Sequence, residues 1–271
     1  MKRAALAVGV AGLVSFTAFP FLWMAATAFK PSQEIFTSPP AFLPREFTLD
    51  NLRRLLEQTR FATYFANSVL VAAATALLTL LIAVPGAYAL TRFRFRGREA
   101  ISATILFTYM FAPIMIIIPF YVLMRAFGLV NTHIGLVLAY TAFCLPFALW
   151  LLRTYFQGIP LDLEEASLSD GATRLQTVRY IVLPVARPGV VATGTFTFIL
   201  AWNDYIFARV LLAADELKTL PVGIADLYNA SVVDWGMIMS AGLLVLLPVL
   251  AVFVFLQKYL VAGWGTGGVT G

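Results

Sequence analysis

Long runs of apolar residues, separated by shorter polar segments, are the dominant pattern of this chain. Most of the runs approach the roughly 20 residues that a helix needs to cross a bilayer. We therefore predict an all-α membrane protein with a single transmembrane domain over residues 1–271. Its bundle of six transmembrane helices is expected at about residues 4–29, 64–91, 101–124, 135–152, 190–212 and 237–258.

Lysine and arginine positions predict the orientation of these spans. If the N-terminus is cytoplasmic, eleven of the 19 Lys and Arg residues lie on the cytoplasmic side. The compact cluster RFRFRGR after the second span is then in a short inner loop, where the preference for inner positive charge is strongest. Both termini are expected to be cytoplasmic, as is the segment of about residues 153–189 between the fourth and fifth spans.

That segment, 153–189, has a polar pattern of its own. Pro160 suits the first position of a helix. Three acids, Asp162, Glu164 and Glu165, would place negative charge at the positive end of the helix dipole. Apolar residues then recur at helical spacing and predict an apolar stripe, at Leu161, Leu168, Ala172, Leu175, Val178 and Val182.

Gly171 interrupts this helical pattern and predicts a bend. Asp170 is a favourable N-cap residue, so we expect it to cap a second helix that ends at Leu183-Pro184. One face of the two amphipathic helices should lie on the membrane bundle and the other should be polar. The small residues Ala166, Ser167 and Ala172 near the bend would let another protein approach closely, although a helix lying passively on the bilayer explains the amphipathicity equally well.

Composition supports a membrane protein, because 61% of the residues are hydrophobic and only 12% are charged, against about a quarter in average soluble domains. The net charge of +5 agrees with basic inner loops rather than nucleic-acid binding. A single cysteine, Cys144, and a single histidine, His133, exclude an intrachain disulfide and a metal site built from clusters of these residues. The sequence contains no recognisable catalytic triad, so we predict neither catalytic residues nor a metal site.

The segment also resembles a known family. The residues EEASLSDGA at 164–172, then IVLP at 181–184 and Pro188, are similar to the EAA signature of ABC-importer permease subunits. Ser167 stands where alanine is usual in that signature. The stretches ANSVLVA, AYALTRFRFRGR, FGLVNTHIGLVLAY and AWNDYIFARVLL also resemble the carbohydrate-importing, maltose-type branch of the family.

This resemblance implies that residues 153–189 are a coupling segment, which docks on a cytoplasmic ATPase. It implies that Glu165 makes the polar contact, that Ala166, Ser167 and Ala172 permit close approach, and that Asp170 and Gly171 form the bend. The chain would then be a non-enzymatic subunit with no cofactor of its own, because ATP and Mg would be bound by the ATPase.

The resemblance also implies a set of partners and a location. The expected partners are a second homologous permease, a dimer of ABC ATPase subunits, an extracytoplasmic solute-binding protein, membrane lipid and a carbohydrate substrate, but no nucleic acid. The expected location is the inner membrane of a bacterium or archaeon. The glycine-rich end GWGTGGVTG lacks the Gly-Lys-Ser/Thr of a phosphate loop, and by the resemblance this tail would extend toward the ATPase pair.

Trp202, Asn203 and Asp204 lie within the fifth predicted span and are the candidates for a translocation path. Intramembrane acids are costly and usually face a cavity or a partner. One interpretation is that Asn203 and Asp204 line a sugar path and that Trp202 stacks on a pyranose ring. The other is that Asp204 lies near the outer end of the span and holds a neighbouring helix.

Three other functions compete with a carbohydrate importer. A related ABC importer for a non-sugar solute such as glycerol phosphate would share the same scaffold. An ion-coupled secondary transporter would use Asp204 as its proton carrier, but such proteins are expected to show more intramembrane ionisable groups. A non-transporting membrane scaffold would use the coupling segment only as an interaction patch.

Overall fold

Helices account for all the regular structure of the described residues in the computed structural model, which describes residues 2–110, 112–230 and 232–265. One π-helical turn (Val178–Val182) and one 3-10 turn (Asp215–Leu217) accompany the α-helices. In chain order the α-helices are α1 (Lys2–Ala28), α2 (Ser32–Ile35), α3 (Asp50–Gln58), α4 (Phe61–Arg92), α5 (Arg98–Tyr109), α6 (Pro113–Ala126), α7 (His133–Gln157), α8 (Leu161–Ser169), α9 (Arg174–Thr177), α10 (Leu183–Val185), α11 (Arg187–Asn203), α12 (Ile206–Leu211), α13 (Leu220–Tyr228) and α14 (Trp235–Gly265).

The apolar runs of the sequence correspond to the long helices. Among the described residues, α1, α4, α7 and α14 are long and apolar enough to cross a membrane. A fifth crossing is formed if residues 174–185 and 187–203, which are bent by 78° at residue 186, count as one broken span. The all-helical fold with four to five apolar spans is therefore confirmed.

Two of the predicted spans are not continuous helices. The region 101–124 is divided into α5 and α6, because Ala112 is extended (φ −64°, ψ 132°) and Pro113 starts the next helix. A residue before proline is forced out of the helical conformation by contact with the proline ring. The region 190–212 is likewise divided into α11 and α12 by the extended residue Asp204 (φ −71°, ψ 132°).

Backbone contacts divide the chain into two compact units. The first consists of residues Met1–Phe65 and Leu220–Ala251. Within it the buried Asn51 of α3 donates its side-chain N–H groups to the carbonyls of Ala28 (2.9 Å) and Lys30 (2.7 Å). The first of these bonds satisfies a carbonyl that the C-terminus of α1 leaves without a helical partner, and the second fixes the chain just beyond it.

The second unit consists of residues Ala66–Thr219 and Val252–Gly271, and its core fixes the position of the predicted coupling segment. Buried side chains of α4 and α7 pack here with segment residues that precede α8 and follow α9. The cluster consists of Ala83, Ala87, Tyr88, Ala148, Leu149, Leu152, Phe156, Ile159, Val182 and Ala186. The two ends of the segment, next to α7 and next to α11, are therefore packed in the same apolar cluster.

A polar contact at the surface of the second unit joins α5 to α7. The Glu99 carboxylate accepts hydrogen bonds from Arg153 (3.0 Å) and from Arg98 (2.8 Å). Together these guanidinium groups, Arg153 foremost, lower the pKa of Glu99 below its ordinary value.

Close packing of α11 on α7 leads to a first prediction. A Cβ atom at Gly189 would meet the ring of Tyr155, at 2.6 Å from Cδ2 and 2.7 Å from Cδ1. We expect Gly189→Ala to lower the free energy of unfolding by about 1–3 kcal/mol, since overpacking forces side chains or backbone to shift. Thermal unfolding in detergent would measure the loss as a lower Tm.

Gly158→Ala is the matched control for this variant. Gly158 lies at the C-terminus of α7 with a negative φ of −75°, and its Cβ would make an ordinary 3.5 Å contact with the Tyr155 carbonyl oxygen. Equal Tm values for the two variants would show that the Gly189–Tyr155 contact is not a tight one.

Candidate functional sites

The coupling segment is built from two short helices and a bend, as the sequence predicts. Helix α8 is followed by Gly171, whose φ of +88° lies in the left-handed region that favours glycine. Helix α9 begins after Thr173 and continues through the π-helical turn into α10. Because Gly171 lies between α8 and α9, the backbone leaves the helical conformation there without strain.

The predicted capping role of Asp170 is wrong. Asp170 is the C-cap residue that follows α8, and its N–H donates to the Ala166 carbonyl. Thr173 caps α9 instead: its hydroxyl accepts from the Gln176 N–H, while the Gln176 side-chain oxygen accepts from the Thr173 N–H at 2.7 Å. The Thr-x-x-Gln spacing of a capping box is visible in the sequence, so the start of α9 could have been predicted from it.

The predicted apolar stripe is buried only in part. Leu161, Leu168 and Leu175 are 53%, 37% and 78% exposed, whereas Val182 is buried and Ala172 and Val178 are half-buried. Within α8 and α9 the buried side chains are those of Glu164 and Thr177. The helical continuation also runs to Val185 rather than stopping at Leu183-Pro184. The leucines of the segment therefore form part of its surface.

Glu164 is the residue that anchors α8. Its carboxylate accepts hydrogen bonds from the Tyr88 hydroxyl (2.8 Å) and from the Arg92 Nε–H (2.6 Å). Arg92 also donates to the Ile159 carbonyl at 2.9 Å. Both charged side chains are only 7% exposed. The desolvation cost of this pair is thus offset by a short ion pair with additional hydrogen bonds.

We call the four groups of this network, Tyr88, Arg92, Ile159 and Glu164, the α4–α8 clamp. Sequence reasoning assigned Glu164 only a favourable interaction with the helix dipole and missed the clamp. Arg92 and Glu164 are 72 residues apart, and one acid in the first turn of a helix has a sufficient local explanation. No local pattern in the sequence identifies the pairing.

A second polar contact closes the bend. The hydroxyls of Ser167 in α8 and Thr177 in α9 lie 3.1 Å apart and form a hydrogen bond, and Thr177 is only 1% exposed. Ser167 therefore contributes a bond between α8 and α9 that alanine, the usual residue of the resembled signature, would not make.

The remaining predicted coupling residues lie around the bend. Glu165, Ala166, Asp170 and Gly171 are exposed, whereas Ala172 is half-buried. The segment thus has an exposed side with the carboxylates of Glu165 and Asp170 and small residues, and a buried side held by the clamp. We call this exposed side the coupling face.

The structure gives Trp202, Asn203 and Asp204 three different environments. Trp202 is 1% exposed and stacks on Phe198 with ring centroids 5.8 Å apart. Its ring is therefore unavailable to a sugar, which corrects the stacking interpretation. Asn203 is exposed and donates to the Ile199 carbonyl one turn earlier.

Asp204 holds the break between α11 and α12. Its Oδ2 accepts from the Tyr140 hydroxyl of α7 (2.8 Å) and from the backbone N–H groups of Phe207 (3.0 Å) and Ala208 (3.3 Å). The carboxylate thereby satisfies N–H groups that the start of α12 leaves without helical partners. The interpretation that Asp204 holds a neighbouring helix agrees with these contacts.

Asp204 also borders a cavity of about 530 Å³ inside the second unit. Its lining comes from the α5–α6 break, α6, α7 and the α11–α12 break. The volume lies within the range of about 300–1,000 Å³ that is common for ligand pockets. Among the described residues, no group of three or more His, Cys, Asp or Glu side chains is arranged to hold a metal ion.

Comparison with known proteins identifies the class. Residues 80–265 match the family described as "Binding-protein-dependent transport system inner membrane component". The inner membrane ABC transporter permease protein YcjP of Escherichia coli is 34% identical, over 100% of this chain and 98% of its own length. The trehalose/maltose transport system permease protein MalG of Thermococcus litoralis is 33% identical, over 100% of this chain and 98% of its own.

A solved structure agrees with both relatives. The crystal structure of a bacterial ABC transporter involved in the import of the acidic polysaccharide alginate has a chain that matches with a TM-score of 0.83 and 27% identity, covering 95% of this chain and 96% of that one. The present chain therefore belongs to the family of binding-protein-dependent, inner-membrane permease subunits of ABC importers.

This membership confirms the resemblance predicted from the EAA-like residues. Members of the family are multi-pass transport components of the inner membrane and not enzymes, so the non-enzymatic prediction is confirmed by the relatives. The secondary-transporter and scaffold interpretations are thereby excluded. The glycine-rich tail lies mostly at 266–271, outside the described residues.

The α4–α8 clamp leads to a second prediction. Glu164→Ala leaves the buried Arg92 charge without its partner, so we expect the free energy of unfolding to fall by about 3–5 kcal/mol. Glu165→Ala, at the exposed neighbouring position, should change it by no more than about 0.5 kcal/mol. Thermal or denaturant unfolding of the purified permease in detergent would measure both.

A double variant tests whether the loss comes from the unpaired charge. Arg92→Leu combined with Glu164→Leu removes both charges together, and it should be less destabilising than either single leucine variant. Additive losses in this cycle would show that the two side chains do not interact.

Proposed function

We propose that this chain is the permease subunit of an ATP-driven importer for a sugar or oligosaccharide. It supplies half of the translocation path and couples to a separate ATPase through the coupling segment. The carbohydrate substrate is supported by the names of relatives that transport trehalose and maltose and by the structural likeness to an alginate importer.

The observation that carries the coupling role is the contrast between the two sides of the segment. Glu164 is buried in the clamp, while its neighbour Glu165 lies on the exposed coupling face. A docking element must present a surface to its partner and also be held firmly by its own subunit. The segment combines both properties within two consecutive residues.

The clamp provides a route by which movement of the segment reaches the spans. The Arg92–Glu164 ion pair ties α8 to the end of α4, and Val182 and Ala186 pack into the core formed with α7. A displacement of the coupling face therefore acts on α4 and α7 through buried contacts. Packed helices that shift as rigid elements are a common means of conformational transmission.

The proposed topology has six spans in one transmembrane domain, with both termini cytoplasmic. In this topology α5 and α6 together make the third span, and α11 and α12 together make the fifth. Broken helices are tolerated at membrane depth where the freed backbone groups are buried in protein or line a cavity. The breaks at Ala112–Pro113 and at Asp204 border the same cavity, which supports this assignment.

The proposed partners are a second homologous permease, a dimer of ATPase subunits that binds ATP and Mg, and an extracytoplasmic solute-binding protein. Transport then proceeds by alternating access. Closure of the ATPase displaces the coupling segment and opens the spans outward, where the binding protein delivers its sugar. The cycle requires the two conformations to differ in affinity for these partners.

Co-purification from native membranes is the third prediction. Tagged wild-type chain should bring along an ATPase and a second permease, identified by mass spectrometry. Glu165→Lys should lose the ATPase and keep the permease, because it replaces a carboxylate of the coupling face with a cation without affecting a buried contact. Gly171→Pro should do the same, since proline cannot adopt the φ of +88° that the bend requires.

Glu46→Lys is the matched control. Glu46 is another exposed acid and lies between the first and second predicted spans, on the side opposite the cytoplasm in the proposed topology, so its charge reversal should leave ATPase recovery unchanged. Full retention of the ATPase by Glu165→Lys and Gly171→Pro would contradict the docking role of the segment. Absence of any ATPase with wild-type protein in mild detergent would contradict the proposed function as a whole.

A further inference from the structure

We propose that the cavity beside Asp204 is a binding subsite for an uncharged carbohydrate within this subunit. The inference rests on the proposed function and deepens it, because it assigns a place and a charge class to the substrate. Asp204 is one of the predicted path residues. The sequence did not indicate which other residues surround it, or which class of solute their combined chemistry favours.

The cavity has the composition expected of a sugar site. Four aromatic side chains border it, namely Phe120, Tyr140, Phe143 and Phe207, and of these Phe120 and Phe143 are partly exposed. The apolar C–H face of a pyranose packs well on such rings. Polar groups that orient the ligand are few, as is usual in a largely apolar pocket.

Those polar groups suit hydroxyls. Asp204 is half-buried and borders the cavity, so its carboxylate can accept hydrogen bonds from sugar hydroxyls. The Tyr140 hydroxyl donates to Asp204 and retains lone pairs as an acceptor. Thr108, whose hydroxyl donates to the Ile105 carbonyl, adds a further acceptor at the α5–α6 break.

The charge of the cavity selects against anionic solutes. Asp204 is the only charged residue among the described residues that line it. A phosphate or a uronate placed beside a partly buried carboxylate would meet like-charge repulsion without a compensating cation. This favours a neutral sugar over glycerol phosphate, the other solute class that the family scaffold allows.

The carboxylate is also held in place before any ligand arrives. Three donors fix Oδ2, from Tyr140, Phe207 and Ala208, so Asp204 does not have to lose side-chain freedom on binding. Preorganisation of this kind raises affinity because it lowers the entropic cost of association. A residue that served only to cap α12 would not need to border a cavity at the second helix break.

Protection from thiol labelling is the fourth prediction. The single cysteine, Cys144, borders the cavity, so Cys144→Ala gives a cysteine-free background for Ala142→Cys, an exposed cavity position. Ile118→Cys, exposed on α6 and outside the cavity lining, is the control. The complete transporter would be reconstituted in proteoliposomes and labelled with a small methanethiosulfonate reagent.

The probes are maltose, trehalose and diacetylchitobiose as neutral sugars, with an oligouronate and glycerol 3-phosphate as anions. We expect the neutral sugar that the vesicles accumulate to slow labelling at Ala142→Cys but not at Ile118→Cys. Adding Asp204→Asn or Phe143→Leu should weaken that protection by about tenfold, the change that corresponds to about 1.4 kcal/mol. Tyr140→Phe removes the tyrosine hydroxyl and leaves the Asp204 carboxylate in place, so it should weaken the protection less than Asp204→Asn does.

Three failures are distinguishable. If the vesicles accumulate a neutral sugar and that sugar leaves labelling at Ala142→Cys unchanged, the subsite inference is wrong while the proposed function stands. If accumulation and protection are produced by an anionic probe instead, the charge argument is overturned. If ATP drives no accumulation of any carbohydrate probe, the proposed function itself fails.

Discussion

Burial of the Arg92–Glu164 ion pair is the constraint on which the arrangement of the coupling segment depends. A charge removed from water must be paired and hydrogen-bonded, and here Tyr88 and the Ile159 carbonyl complete the partners. Because the pair can be satisfied in one position only, α8 is fixed against the end of α4. Leu161 and Leu168 of α8 are exposed, so the clamp fixes α8 itself, while the apolar core holds the residues that precede and follow the two short helices.

Two helix breaks have a comparable role in the second unit. Pro113 forces Ala112 out of the helical conformation, and Asp204 supplies a side-chain cap for the helix that follows it. Both interruptions border one cavity. Three features therefore occur together at this cavity: backbone groups released from helical hydrogen bonding, side chains that supply new partners for those groups, and space for a solute. This combination is expected where irregular backbone is tolerated inside a membrane protein.

The coupling segment shows which of its structural features local sequence patterns predict and which they do not. The bend at Gly171 was predictable, because only glycine adopts its backbone conformation without strain, and the exposed position of Glu165 agrees with the predicted docking face. The cap was misassigned to Asp170, although Thr173 and Gln176 carry a recognisable capping box. The apolar stripe is buried only in part for a different reason: helical periodicity shows which residues share a face but not whether other residues cover that face.

By itself, the sequence determined the membrane class, the apolar runs, the bend and the family signature, because each depends on residues close together in the chain. The tertiary structure decided which of two adjacent acids is buried, that Trp202 packs inside while Asp204 borders a cavity, and where two apparent spans are interrupted. These outcomes depend on partners such as Arg92 and Tyr140, which lie 72 and 64 residues away from the acids they contact. Local spacing contains no information about such distant pairings, and only the packed chain brings them together.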